Sequence, residues 1–139
     1  MNLNLNLDDG TPCNAAPPPA NVTTPILLTP INDAIIQQDN PNIGCPFDPT
    51  FGFGYRIFFD WTDASSPNGI NGYYLFVKKM TATIPIVDLF VLDSNYTHTS
   101  CNSYIINSNL DGWIWTVQAV DILGNLSSVA TGEFKFEPR

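Results

Sequence analysis

The stretch Trp113-Ile-Trp-Thr-Val-Gln-Ala-Val-Asp121 constrains the fold of this chain more than any other. Its odd positions, from Trp113 to Ala119, carry apolar side chains. A period of two is that of a β-strand with one buried face, because successive side chains of a strand point to opposite sides of the sheet. Two indoles on this face bring a large apolar area that neighbouring strands must cover. The stretch therefore predicts the centre of a β-sandwich.

The length and composition of the chain fit one domain rich in strands. Of its 139 residues 44% are hydrophobic and 12% aromatic, whereas only 13% are charged, about half the usual fraction. We expect residues 25–139 to form the domain. Residues 1–24 are expected to be an extended tail or linker, in which Met-Asn-Leu-Asn-Leu-Asn-Leu alternates at period two before a Pro-rich part.

The charge of the chain disfavours two classes of partner. The formal net charge is −8, with five Lys and Arg residues against thirteen Asp and Glu. This is the opposite of a nucleic-acid-binding footprint, and it disfavours attachment to anionic lipid. The acidic residues are scattered among loop positions, a pattern typical of a soluble surface.

The sequence also predicts where the protein resides. No apolar run approaches the roughly 20 residues of a membrane span, and the N-terminal stretch has no signal-peptide pattern. We expect an extracellular or cell-surface location after removal of an export signal, or alternatively a place in a virion. Direct insertion into a membrane is not expected.

Three cysteines are present, Cys13, Cys45 and Cys101, and they form no Cys-x-x-Cys pair. Zinc binding is disfavoured because His98 is the only histidine. Cys45 and Cys101 are candidates for a disulfide, which would close a long loop and contribute roughly 3–4 kcal/mol. Alternatively they are two small buried thiols.

Further strands are predicted from alternation and from the turn residues that bracket it. In three of them the inward residues are Ile57, Phe59 and Trp61; Tyr73, Leu75 and Val77; and Phe134 with Phe136. Ile35 and Ile36 are expected to extend the first edge strand, within a long insertion that runs to residue 54. The predicted strands are residues 25–30, 55–61, 73–79, 84–93, 101–106, 113–121 and 129–137.

Five motifs in order resemble those of bacterial fibronectin type III domains. They are Pro25-Ile-Leu-Leu-Thr-Pro30, Phe59-Asp-Trp-Thr62, Gly72-Tyr-Tyr-Leu-Phe-Val77, Gly112-Trp-Ile-Trp-Thr-Val-Gln-Ala-Val-Asp121 and Gly124-Asn-Leu-Ser127. The resemblance covers residues 25–138 and implies an all-β, immunoglobulin-like sandwich of about seven antiparallel strands. Trp113 stands where the family carries a corner tyrosine, and its indole N–H can donate a similar bond. The long insertion leaves an extra strand or a modified immunoglobulin-like topology open.

No constellation of residues indicates catalysis or a cofactor. His98 near Cys101 is interpreted as a surface histidine in a polar loop, not as a catalytic base. Asp60 and Asp63 flank Trp61 but are expected to point in different directions. Asp63 and Asp121 with loop carbonyls are a weak calcium alternative without a recognised spacing. We expect no enzyme activity, no cofactor and no metal.

Apolar surface is the remaining candidate for a functional site. In the resembled sheet Tyr74 and Phe76 would lie on the outer face close to Ile114. This face is either a contact surface for a partner or is covered by the insertion, for instance by Phe51 or Phe53, which are themselves candidate contact residues.

Three functions follow from these observations. The first is a non-catalytic structural or adhesion module that contacts other protein domains. The second is a carbohydrate-binding accessory module that stacks sugars on Tyr74, Phe76, Phe51 or Phe53. The third is a subunit of an extracellular filament or phage virion, in which the N-terminal Asn-Leu alternation adds a strand to another copy.

Overall fold

The computed structural model describes residues 21–37, 55–100 and 112–137, and within them the chain forms two β-sheets. One sheet has the order β1-β3-β6 and the other the order β2-β8-β7-β4-β5. The protein therefore has an all-β, fibronectin type III-like and immunoglobulin-like sandwich fold, as predicted. No helix in these ranges is long and apolar enough to cross a membrane. The strands are β1 (Leu27–Thr29), β2 (Ala34–Gln37), β3 (Tyr55–Trp61), β4 (Ile70–Lys79), β5 (Val87–Val91), β6 (Asn95–Ser100), β7 (Gly112–Asp121) and β8 (Ala130–Glu137).

The core lies between the two sheets and is built around β7. Trp113 and Trp115 are fully buried, because the alternation of β7 turns both indoles to the same side. Phe59 packs on Trp115 with ring centroids 5.1 Å apart, and Phe134 stacks on Trp113 at 6.1 Å. The inward faces predicted for three other strands are confirmed. Their buried residues are Ile57, Phe59, Trp61, Tyr73, Leu75, Val77, Phe134 and Phe136.

The N-terminal part of the chain departs from the predicted arrangement, in which all strands are antiparallel. β1 pairs antiparallel with β3, but β2 pairs parallel with β8, so that Ile36 lies opposite Phe136. The expectation that Ile35 and Ile36 extend the first edge strand is therefore wrong. The chain crosses between sheets at a turn in which Asp33 has a φ of 65°. Asn32 Oδ1 accepts a bond of 2.9 Å from the Glu133 N–H, which holds the start of β2 beside β8.

The sequence does not predict strand β6, because Asn95-Tyr-Thr-His-Thr-Ser100 has no apolar alternation and is interpreted as a polar loop around His98. It pairs antiparallel with β3, from Asp60 opposite Asn95 to Tyr55 opposite Ser100. His98 consequently lies on a strand, and burial lowers its pKa below the ordinary value of 6.5. The strand predicted at residues 84–93 is shorter in the structure, and the one at 101–106 lies outside the described residues.

Three connections meet at one end of the sandwich. The start of β4 lies opposite the end of β7, with Ile70 beside Asp121. The connections 62–69, 92–94 and 122–129 therefore share this end. Val22 packs against the core, and the Thr23 N–H donates to the Ser65 carbonyl at 2.9 Å. Contacts with the domain thus begin before residue 25, and the expected boundary between tail and domain stays a prediction.

Candidate functional site

The outer face of the five-stranded sheet carries an exposed aromatic pair. Tyr74 lies opposite Phe90 on one side and Gln118 on the other. The rings of Tyr74 and Phe90 meet edge to face, with centroids 5.1 Å apart and an interplanar angle of 63°, a favourable geometry for two aromatic quadrupoles. Tyr74 is 50% exposed and Phe90 is 41% exposed. Two rigid rings are thus held on the surface of a sheet.

Gly72 positions this pair by leaving room for Phe90. A Cβ at Gly72 would lie 2.6 Å from Phe90 Cζ and 2.6 Å from the Val91 carbonyl oxygen. The Phe90 ring therefore lies over the bare backbone of Gly72, which is buried beneath it. A strand glycine commonly marks such a close approach. The ring is thus held against the sheet and beside Tyr74.

The predicted contact residues of β4 and β7 lie on this same face. Phe76 is opposite Asp88 and Thr116, and Ile114 is opposite Lys78, one step along the sheet. Phe76 and Ile114 are both partly buried. We call Tyr74, Phe76, Phe90 and Ile114 the aromatic face. Its use by a partner stays a prediction, and Phe51, Phe53, Cys45 and Cys101 lie outside the described residues.

Phe90 is the residue of the aromatic face that the sequence did not predict. It belongs to Val87-Asp-Leu-Phe-Val91, in which alternation is weak because apolar residues occupy both faces. The available signal was the unusual glycine inside β4, since a missing side chain in a strand implies that a neighbour fills the space. The register between β4 and β5 was needed to identify that neighbour as Phe90.

A buried carboxylate organises the loops at the end of the sandwich. Asp121 is 0% exposed. Its Oδ1 accepts bonds from the backbone N–H groups of Leu123 at 3.0 Å and Asn125 at 2.8 Å. Its Oδ2 accepts bonds of 3.0 Å from Ser66 Oγ, Asn68 Nδ2 and Asn125 Nδ2. The carboxylate therefore joins the connection 62–69 to the hairpin that follows β7.

These five donors also determine the charge of Asp121. Burial by itself raises the pKa of this carboxyl, because it disfavours the charged form. The hydrogen bonds from Asn125, Asn68 and Ser66 outweigh that effect and hold the pKa well below the ordinary value of 3.8. Both oxygens already have protein partners, so Asp121 is a structural anion and the calcium alternative with Asp63 is not supported. Among the described residues no cluster of His, Cys, Asp or Glu suited to a metal ion occurs.

Tyr73 also holds the connection 62–69 in place, through a hydrogen bond to its backbone. The Ala64 N–H donates to the Tyr73 hydroxyl at 3.0 Å, and the Tyr73 ring meets Trp61 edge to face at 5.6 Å. The bond that the Trp113 indole N–H could donate is not formed within the described part of the chain, where Trp113 Nε1 is buried without a partner. In this structure Tyr73 supplies the bond between a core aromatic side chain and a loop.

Comparison with known proteins gives structural similarities at low identity. No protein-family model and no curated protein matches the sequence. A fibronectin type III domain of human fibronectin type III domain containing protein 3 is 18% identical, with a TM-score of 0.43, over 91% of this chain and 94% of that chain. The PKD domain of an M14-like peptidase from a Thermoplasmatales archaeon is 18% identical, with a TM-score of 0.40, over 86% and 99%. The SrpA adhesin of Streptococcus sanguinis is 20% identical, with a TM-score of 0.37, over 84% of this chain and 56% of that one. The fold assignment rests on the strand order and the core described above.

Proposed function

We propose that this chain is a non-catalytic structural or adhesion module that contacts another protein domain through its aromatic face. The observation that carries the proposal is the edge-to-face pair of Tyr74 and Phe90, about half exposed on a paired sheet. Exposed aromatic side chains are enriched in the centres of protein interfaces, where they contribute much of the binding energy. The proposed setting is a secreted, cell-surface or filamentous assembly.

The surroundings of the pair favour a protein partner. Asp88, Thr116 and Gln118 lie on the same outer face and provide polar groups around the rings, an arrangement that resembles an apolar centre with a polar rim. The Phe90 ring lies over Gly72 and against the Tyr74 ring, so both rings lose less side-chain entropy on binding than isolated side chains would. The net charge of −8 favours a partner with a neutral or basic surface.

The experiment compares variants of the immobilised chain against purified secreted and cell-surface protein domains. Tyr74→Ser is expected to weaken saturable binding by about 2 kcal/mol, roughly thirty-fold in Kd, as for a central interface aromatic residue. Ile35→Ser is the matched control, because Ile35 is an exposed apolar residue on the opposite edge strand of the same sheet. Binding that Tyr74→Ser leaves unchanged would contradict the proposal.

A carbohydrate-binding module is the second candidate, and the exposed Tyr74 ring is the observation that favours it. Sugars stack on flat aromatic faces, so Tyr74→Phe would keep most of the binding whereas Tyr74→Ala would abolish it. A glycan array with both variants separates the two candidates. Glycan binding that follows this pattern, without binding to any protein domain, would support carbohydrate recognition instead of adhesion to protein.

The third candidate is a subunit of an extracellular filament or a virion. It uses the N-terminal alternation of Asn and Leu at residues 2–7 to add a strand to another copy. The edge strands of the two sheets are the observation that favours it, because an added strand needs an edge that the domain itself leaves open.

A further inference from the structure

Strand β5 forms one edge of the five-stranded sheet. It pairs with β4 on one side, and none of the described residues forms a strand on its other side. Leu89 and Phe90 in its middle are 42% and 41% exposed. An edge strand with apolar side chains presents unpaired backbone groups to any extended segment that fits, and native proteins normally protect such edges. The edge of β5 is suited to accept another strand.

The side chain of Leu89 shows which face an added strand would bury. Leu89 lies opposite Leu75 on the core side of the sheet, yet Leu75 is 0% exposed and Leu89 is 42% exposed. Among the described residues, the sheet that faces this side has three strands against five. The apolar side chains on the core side of the sheet thus continue from the buried Leu75 to Leu89, which is partly exposed to solvent. A further strand would continue this row if it carried apolar residues on the core side and polar ones on the outer side.

The other edges fit such a strand less well. Strand β6 reads Asn-Tyr-Thr-His-Thr-Ser, and its one aromatic ring, that of Tyr96, already packs against the core. Strand β1 has only three residues. On β2 the exposed apolar side chain is Ile35, which lies opposite Lys135 on the outer face instead of the core side. Among the described strands, only β5 is an edge strand of more than three residues that carries an exposed apolar side chain on the core side of its sheet.

The N-terminal segment has the required pattern. Residues 2–7 read Asn-Leu-Asn-Leu-Asn-Leu, so that an extended conformation places three leucines on one face and three asparagines on the other. The leucines match the core side at Leu89, and the asparagines would lie on the outer side, beside Asp88 and Phe90. Residues 8–20 connect this segment to the domain and include Pro12 and the run Pro17-Pro-Pro19. Pro-rich sequences favour extended conformations, and a linker of this length could span about 40 Å at 3.1 Å per residue, which gives the segment the reach to contact a second copy.

We propose that residues 2–7 of one copy pair with the open edge of β5 in a second copy and place Leu5 beside Leu89. The proposal rests on the filament candidate above, and the added strand would lie beside Phe90 of the aromatic face. Each copy has one donor segment and one acceptor edge, so the contact is head to tail and extends into a chain of copies unless a ring closes. Pairing buries Leu89 and satisfies the backbone groups of the edge.

Sedimentation of the full chain over a range of concentrations tests the proposal. The wild type is expected to associate, with Leu5→Asn and Leu89→Lys each weakening association at least tenfold. Leu89 is 42% exposed and lies outside the sealed core, and circular dichroism confirms that both variants fold. Asn4→Ser and Ile35→Lys are the matched controls, one on the polar face of the donor segment and one on the opposite edge of the sheet, and both are expected to associate as the wild type does.

A peptide with the sequence of residues 1–8 provides the second arm. It is expected to bind the full-length Leu5→Asn variant, whose edge is unoccupied, and to bind at least tenfold more weakly when Leu89→Lys is added. Absence of peptide binding, or association that survives Leu5→Asn, would overturn the proposal. A monomeric wild type that excludes the peptide would also overturn it, since the segment would then occupy its own domain. The Tyr74→Ser variant is expected to self-associate as the wild type does. Loss of binding to other protein domains and loss of self-association are therefore measured by different variants.

Discussion

Gly72→Ala tests directly whether the sheet holds the aromatic face as described. The new methyl group would lie 2.6 Å from both Phe90 Cζ and the Val91 carbonyl oxygen. The carbonyl belongs to the paired backbone of β5 and cannot rotate away, and the ring can move only by leaving Tyr74. Overpacking of this kind costs about 1–3 kcal/mol, and the lower entropy of the unfolded alanine chain offsets a fraction of it. We expect a net loss of about 2 kcal/mol, or a Tm lower by about 8 °C for a domain of this size.

The assay is urea and thermal unfolding of Gly72→Ala beside Gly112→Ala. Gly112 is the matched control, because it is also a strand glycine but its added Cβ would meet only the side chain of Met80, which is exposed and flexible. We expect the control to lose less than about 1 kcal/mol. A double variant with Phe90→Ala should be more stable than the sum of the single changes predicts, because the ring no longer collides with the methyl group. Equal stability of the two glycine variants would refute the proposed position of Phe90.

Two further predictions concern the loop end of the sandwich. Because hydrogen bonds hold the folded-state pKa of Asp121 below its ordinary 3.8, its contribution to stability is complete above about pH 4 and is lost as pH falls further. Urea unfolding should therefore show Asp121→Asn less stable at pH 7, with the gap narrowing below pH 4, and a gap that is constant with pH would contradict this role. Tyr73→Phe removes the acceptor for the Ala64 N–H and should cost about 1 kcal/mol. Hydrogen exchange at Ala64 should accelerate in that variant, and unchanged exchange would show that the bond does not hold the loop.

The sandwich and its core could be predicted from alternation in a few strands. Strands β3, β4, β7 and β8 each have one face toward the core, so apolar residues at every second position identify both the strand and its buried side. Trp61, Trp113 and Trp115 are sealed as expected. The prediction succeeded because the alternation of apolar and polar residues along a half-buried strand shows which of its sides faces the core.

The strands at the sheet edges could not be predicted in the same way. On β6 the inward-facing residues are half-buried and mostly polar, so apolar residues do not alternate along Asn95 to Ser100. Only the Thr and Tyr residues, which favour β-strands, indicate a strand there. Ile35 and Ile36 are apolar and adjacent, which is compatible with either sheet. Their pairing with β8 depends on a turn at Asp33 and on the Asn32 side chain.

The contacts of the candidate site depend on register, which local sequence does not contain. Asp121 is bonded by Asn125 four residues away but also by Ser66 and Asn68, more than fifty residues away. Local sequence therefore suggests a weak calcium ligand at this carboxylate and does not reveal the hydrogen-bond network around it. Tyr74 was expected on the outer face from alternation alone, whereas its partner across the strands was not identifiable until the pairing of β4 with β5 was known.

Collisional quenching of tryptophan fluorescence by caesium ions tests most directly the claim that two sheets enclose this core. The chain has three tryptophans, and Trp61, Trp113 and Trp115 are at most 1% exposed. Caesium is attracted to a protein with a net charge of −8, so weak quenching cannot be due to repulsion. We predict almost no quenching of the native protein and strong quenching after unfolding in guanidinium. Quenching of the native protein as efficient as that of the unfolded chain would contradict the sandwich and the surfaces built on it.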